Sequence, residues 1–458
     1  MTLGDGRPVT VIGGGITGLA AALHLHDHGH PVRVLEAADR VGGKLRTSPL
    51  AGRMVDEGAD AFLVRRPEAL SLARRLGIDG ELVHPAARAA SVFADGERRP
   101  LPPQLMGVPI DLDAAVRSGL LDDAGLAQLR RDLDHPAGAL TGDDVTVAAE
   151  VERRLGRQVL DRLVGPLVGG INAGDPDRLS LDTVVPQLSA AARDTRHPSL
   201  VRACQAQVSA ARAAGADPGA PIFAAHPAGM AHLVDVLAAA LPPGTVELRS
   251  PVEDLDPLLS EGPVVLALPA PATAGLLEAT SAQAAADIMG AVEHASVVLI
   301  TLAVRPEDIS QRIAGSSGFL VPHDQGTLMT ACTFTSHKWA HLGPEHGHGT
   351  LLLRASAGRH GDRRATELDD ADLTGRILED LGRTIGLSGP PTEVRVTRWP
   401  GAFPQPCPGH ISRMHRVDED LGQHLPGVAI AGMARLGVGI PACIQSGLEA
   451  ADRAMRTS

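Results

Sequence analysis

Val9-Thr10-Val11-Ile12-Gly13-Gly14-Gly15-Ile16-Thr17-Gly18 is the stretch that decides the fold. Val9 to Ile12 reads as a short buried strand, a glycine cluster follows, and Leu19 to His28 has helical spacing. Val32 to Leu35 is a second strand, and it ends on Glu36. Gly13, Gly15 and Gly18 form G-x-G-x-x-G between the first strand and the helix. The first glycine permits a tight turn, the second lets backbone approach a pyrophosphate, and the third lets helix and strand pack closely. The helix N-terminus directs partial positive charge at the phosphates. Glu36 stands where a carboxylate accepts a ribose hydroxyl, which makes a merely structural glycine turn the weaker alternative.

Outward from this unit, Pro67 to Leu76 reads as a helix and 86–103 as short strands and turns. From Leu112 to Leu167 apolar residues recur at three- and four-residue intervals, the pattern of a helical subdomain. A polar, proline-punctuated stretch (Pro176, Pro186, Pro198, Pro218, Pro221) precedes a helix at 234–241 and short strands at 246–248 and 264–268. Segments 297–304, 318–321, 328–334 and 351–356 read as antiparallel strands of a second sheet. The chain closes with a strand at 428–431, a glycine turn and a helix at 444–455.

Composition narrows the function. The chain has 458 residues, 44% hydrophobic and 21% charged, so it has material for a large core. Forty-two basic against 54 acidic side chains leave a net charge of −12, the wrong sign for holding nucleic acid. With Tyr 0, Phe 6 and Trp 2, any tyrosine acid, radical or cage is excluded. Lys44 and Lys338 are the only lysines and Asn172 the only asparagine, a bias expected of a GC-rich genome. Cys204, Cys332, Cys407 and Cys443 lie far apart with no C-x-x-C pair. That argues against a zinc ribbon, an iron–sulfur cluster or a disulfide scaffold and fits a reducing cytoplasm. Residues 1–8 lead straight into the first strand without an apolar signal core. No apolar run approaches the ~20 residues of a spanning helix, so a cytoplasmic protein without an integral membrane segment is expected. Contact of the helical region with a membrane surface stays open.

Arg40, Gly42, Gly43 and Lys44 add a second glycine pair flanked by cations. With it, Val9 to Thr47 resembles the FAD-dependent oxidases of the amine oxidase, carotenoid desaturase and porphyrinogen oxidase superfamily. Further stretches are similar to bacterial porphyrinogen oxidases of the coproporphyrin-forming branch. They are 56–63, Pro100-Leu101-Pro102, 106–109, Gly169-Gly170 to Asp175, Leu179-Ser180-Leu181, 318–322, 333–339, Arg398-Trp399, Pro404-Gln405, Gly409-His410 and Gly437-Val438-Gly439-Ile440-Pro441.

The resemblance implies an α/β fold: a Rossmann-like FAD-binding domain, an α+β substrate domain with a second mixed or antiparallel sheet, and an inserted helical subdomain. The expected divisions are 1–48 with 222–275 and 426–458 for FAD, 49–75 with 176–221 and 276–425 for substrate, and 76–175 for the helices. By the same resemblance Gly13, Gly14, Gly15, Ile16, Thr17, Gly18, Glu36, Ala37, Arg40, Gly43, Lys44, Gly58, Ala59, Asp60, Ala61, Val252, Trp399, Val438, Gly439 and Ile440 line the FAD. The implied reaction is the six-electron oxidation of coproporphyrinogen III to coproporphyrin III in heme biosynthesis, with O2 as acceptor and H2O2 as co-product. Flavin carries it, so no catalytic acid or base is assigned. Arg66 and Lys338 are the candidate cations for the substrate's propionates. Transfer of product to a ferrochelatase is implied as well; the oligomeric state is not fixed.

This chain also departs from the pattern. Pro406 replaces a family tyrosine, Asn172 stands where the family often has another, and the segment between Val252 and Val264 is short. These departures put the pocket's shape at issue and keep a non-catalytic porphyrin- or heme-binding paralogue as the rival. A protoporphyrinogen oxidase is a further alternative. A flavin amine oxidase fits less well, since it predicts an aromatic cage, and a carotenoid desaturase predicts a more apolar docking surface. His24 and His28 share a helix face, and His337, His341, His346 and His348 cluster, but no metal site is expected because no Cys or acid nearby in the chain completes a shell.

Overall fold

Val9–Ile12 is buried along its whole length and pairs in parallel with Val32–Leu35 on one side and Val264–Leu266 on the other. Val246–Glu247 and Val428–Ile430 complete a five-stranded parallel sheet in the order 246, 32, 9, 264, 428. The computed structural model describes residues 7–217 and 219–457, without the Thr457 side chain. The amino-terminal residues read above as free of a signal core, 1–6, and Pro218 lie outside the described residues.

Helices Ile16–Asp27 and Ile440–Thr457 lie side by side. A Cβ on Gly447 would come within 2.3 Å of the Thr17 carbonyl, and His24 Nε2 meets Asp452 at 2.8 Å. Contacts 17 to 447 and 24 to 452 advance together, so the helices are parallel and both N-termini sit at the carboxyl edge of the sheet. That edge is where α/β sheets bind ligands.

The second sheet has seven strands, in the order Glu393–Pro404, His294–Val304, Leu351–Ala357, Met329–Thr333, Ser316–Leu320, Ala89–Ala94, Glu97–Pro100. It is mixed, because Ser316–Leu320 pairs in parallel with Ala89–Ala94 while its other pairings are antiparallel. Side chains alternate between its faces. Val298, Ile300, Leu302, Leu353 and Ala355 are buried in one core with Leu373, Ile377 and Leu381 of the helix Asp370–Ile385. Val297, Leu299, Arg354, Ser356 and Trp399 project from the opposite face, which stays half-buried.

A helical unit packs Leu129, Leu155, Leu163, Leu188 and Cys204 into a separate core. Asp111, Asp122, Thr146, Ser180 and Ser199 cap its helices by accepting first-turn N–H groups. The α/β architecture with a mixed second sheet and a helical insertion is thus the one expected. Two segments pack elsewhere than the expected boundaries put them. Strands at 89–100, assigned to the helical unit 76–175, pair with the second sheet. Helices between 181 and 213, assigned to the substrate domain, bury Leu181, Leu188 and Cys204 in the helical core. The short segment before Val264 holds the helix Asp256–Glu261. Among the described residues no helix is long and apolar enough to cross a membrane.

Candidate active site

The glycine turn does three different jobs. A Cβ on Gly13, at φ +106°, would meet the Ala267 carbonyl oxygen at 2.6 Å, and one on Gly18 would meet the Gly13 oxygen at 1.9 Å. Both glycines are required by the protein's own packing. Gly15 is the opposite case, because its Cβ would have nothing within 4 Å. It begins the helix Ile16–Asp27, and no side chain caps that first turn. Gly42 N–H donates to the Gly14 carbonyl at 2.8 Å, and Gly43 packs with its Cβ direction 3.6 Å from Gly15 Cα. The two glycine pairs therefore close into a backbone cradle with room for a phosphate.

Glu36 accepts from Gly14 N at 2.6 Å and from Ala38 N at 2.8 Å, which fixes its carboxylate beside the cradle. Ser250 N donates to the Glu36 carbonyl and Arg249 N to that of Ala38, so the chain leading to half-buried Val252 runs past this acid and exposed Ala37. The Arg40 guanidinium donates to the carbonyls of Val41, Gly43 and Leu45 and so braces the loop. Lys44 Nζ donates to Ala402 O at 2.7 Å and has no carboxylate partner. Burial pulls its pKa down.

The second sheet grips the segment 55–58 by its carbonyls. Trp399 Nε1 donates to Glu57 O at 2.7 Å, Arg354 to Gly58 O at 2.9 Å, and Arg395 to Val55 O at 3.0 Å. A Cβ on Gly58 would meet the Lys44 carbonyl at 2.7 Å. Asp60 sits between Lys338 at 2.9 Å and Arg354 at 3.1 Å and accepts from Trp339 Nε1. Burial pushes its carboxyl up, but the two cations outweigh that and hold it well below the ordinary range. Within the protein, Lys338 is paired with Asp60. Nearby Asp56 is pushed up to about 6 by burial, against hydrogen bonds from Thr47 and Met230 N–H.

Arg66 flanks the helix Pro67–Leu76, and its guanidinium is bonded to Gln445 with Glu68 at 3.5 Å. Gln445 lies in the second turn of the helix Ile440–Thr457. Gly439, at φ +110°, would have nothing within 4 Å of a Cβ, a second open glycine at a helix start. Exposed Ala59 and half-buried Ala61 complete the 58–61 strip. Arg354 was not read from the sequence. Its signal was present, as the lone charge in the apolar strand Leu351–Ala357.

The departures from the family pattern occupy a clamp. Asn172 is buried and donates to Val168 O, its own carbonyl accepts from Gln405 Nε2 at 3.0 Å, and Pro406 O accepts from Ser180 N. They tie the helical unit to the end of the strand Glu393–Pro404.

The histidines have other work. His24 is held by Asp452, and His28 Nδ1 bonds to the His24 carbonyl. Among the described residues one His and acid group is close enough to hold an ion: Glu81, His226 and His232. There His226 Nδ1 accepts from Ala228 N, so Nε2 carries the proton and donates to Glu81 at 3.0 Å. That arrangement offers a metal no lone pair at His226. All four cysteines are free, and burial pushes Cys204 and Cys332 up to about 12, so neither is a thiolate.

A family model for flavin-containing amine oxidoreductases matches residues 16–455. The chain belongs to that family. Its relatives there include the coproporphyrinogen III oxidase of Bacillus subtilis, 32% identical over 99% of both chains. The protein of that name from Mycobacterium tuberculosis is 33% identical over 96% of this chain and 95% of its own. The crystal structure of an Exiguobacterium protein, provisionally named a protoporphyrinogen oxidase, superposes with a TM-score of 0.83 at 26% identity over 98% of each chain. A flavin fits the residues present: open Gly15 and the uncapped helix that it begins leave a cradle that would take its phosphate end, with the Glu36 carboxylate fixed beside it.

Proposed function

We propose that this chain is an FAD-dependent coproporphyrinogen III oxidase. The end-to-end similarity to the Bacillus subtilis enzyme, over 99% of each chain, is the observation that carries the reading. FAD is favoured among flavins because Glu36 and the first helix suit an adenosine ribose and a pyrophosphate. FAD, when bound, would supply two-electron redox chemistry toward the porphyrinogen, with O2 as the final acceptor and H2O2 as co-product. The chain's part is to bind and orient. Gly15, Ile16 and Thr17 would offer backbone N–H groups to the phosphates, Glu36 would take the ribose, and Lys44 would bring a half-buried cation beside Ala402 of the second sheet. Arg354, with Asp60 and Lys338, leaves one net positive charge beside that segment. The half-buried sheet face at Val297, Leu299 and Ser356 offers an apolar floor to a flat macrocycle. Handing coproporphyrin to a ferrochelatase belongs to the same reading.

The test is porphyrin fluorescence over time from purified protein, FAD and coproporphyrinogen III in air, against an autoxidation control without protein. Emission rising well above the control is expected. Flavin bound with no porphyrin formed would overturn the oxidase reading in favour of a porphyrin-binding paralogue.

A further inference from the structure

A cleft of about 720 Å³ opens between the helical unit and loops at one end of the second sheet. Gly169, Gly170 and Gly174 form part of one wall; the segments 321–330 and 358–364 form the other. A Cβ on Gly170 would lie 3.2 Å from Leu320 Cδ2, so the cleft borders the sheet at a half-buried position. Glycine walls allow the edge of a flat ring to come close to backbone. The volume is that of a small-molecule site.

The charges in this cleft are almost all paired. Arg157 bonds Asp161 at 2.9 Å and reaches Asp177 at 3.4 Å. Arg364 bonds Asp362 at 2.7 Å, and His360 meets Glu293 at 2.7 Å. Asp175 Oδ1 accepts from Asp177 N, and Asp324 accepts from Gln325. Arg359 is the exception among the cleft's three arginines: among the described residues no acceptor bonds its guanidinium, and its Nε is buried without a partner. Asp175 and Asp362 attract it without forming an ion pair. A desolvated guanidinium lacking an acceptor is costly to the fold, and its planar fork matches a carboxylate. Arg66 and Lys338, meanwhile, are already engaged within the protein.

We propose that Arg359 receives a propionate carboxylate of the tetrapyrrole in this cleft, an inference that rests on the function proposed above. It is a substrate-binding residue that fixes the ring's orientation and takes no part in electron transfer. Loss of a charge-assisted pair predicts about a tenfold rise in KM for coproporphyrinogen III in Arg359→Gln, with kcat within about twofold. The Kd for coproporphyrin III, read by fluorescence on the flavin-loaded protein, rises in parallel, and Arg359→Lys recovers part of both. Because the guanidinium has no acceptor among the described residues, Arg359→Gln keeps or raises Tm, whereas a structural arginine would lower it. Unchanged KM and Kd in Arg359→Gln, with wild-type turnover intact, would overturn the proposal and leave the oxidase reading standing. Wild-type protein that binds coproporphyrin in an Arg359-dependent way without oxidising coproporphyrinogen would support the proposal and overturn that reading. Neither binding nor turnover in wild-type protein would overturn both.

Discussion

The phosphate cradle and the cleft beside the second sheet are built on opposite plans. The cradle is assembled from neighbours in sequence, within Gly13 to Lys44, and its geometry is enforced by sterics: a Cβ at Gly18 would sit 1.9 Å from a backbone oxygen. The cleft and the Asp60 cluster are assembled from residues hundreds of positions apart, and their properties depend on which charges find partners. Asp60 and Lys338 are separated by 278 residues. A local motif announces itself; a site defined by pairing is visible only after folding.

The largest effect is expected on the distant side of this comparison. Asp60→Asn strands Lys338 and Arg354 in a mostly buried position, and a loss of about 3–5 kcal/mol in denaturant unfolding is expected. The wild-type contribution has a definite pH dependence. A carboxylate whose folded pKa is depressed stabilises above its unfolded value of 3.8 and loses that contribution as pH falls toward its folded value. A pH-independent difference between the two proteins would contradict the ion cluster.

On the local side, Gly18→Ala should cost about 3 kcal/mol or more, because neither the Gly13 carbonyl nor the Val11 side chain can retreat freely. Gly15→Ala sharpens the contrast, since it has open space and an ordinary φ of −76°. Its Tm without flavin should match wild type while flavin affinity, followed by fluorescence quenching, falls about tenfold. Equal loss of stability in both variants would erase the distinction between a packing glycine and a ligand glycine.

Asp56 carries the opposite sign from Asp60. Its carboxyl is raised from 3.8 to about 6, so the native state holds more protons than the unfolded one and stability falls as pH rises through that window. The shift amounts to about 3 kcal/mol at most. Asp56→Asn should therefore gain on wild type between pH 4 and about 6 and hold a constant lead above it, measured as Tm against pH. The smallest effect is expected at Glu36→Gln: one acceptor oxygen remains for backbone N–H, and the loss is about tenfold in flavin affinity by titration.

Legibility in the sequence follows the same division. Pro67–Leu76 was read to the residue, and the first sheet's strands nearly so, because caps, glycines and apolar runs are contiguous there. The helix Leu200–Ala213 was hidden in a stretch marked by prolines, which lie outside it; its N-cap Ser199 was the usable signal. Glu393–Pro404 escaped notice because Arg395, Arg398, Pro400 and Gly401 give it no apolar alternation, as befits an edge strand. The glycine turn at 13–18 and its approach to Gly42 and Gly43 were legible from spacing and resemblance as backbone features. Arg40 and Lys338 read as candidate ligand cations; the contacts by which one braces its own loop and the other pairs with Asp60 were not legible, because charge alone does not reveal its partner. Arg354 had the signal of a lone charge in an apolar strand, whereas Arg359 could be found only once its surroundings were known.

The most direct test of the central claim is an anaerobic titration of the flavin-loaded protein with coproporphyrinogen III, followed by absorbance. The account predicts that the oxidised flavin absorbance bleaches as substrate is added, each flavin taking two of the six electrons, and that admitting O2 restores the flavin and lets the porphyrin band grow. A flavin band that stays unchanged under excess coproporphyrinogen would contradict it.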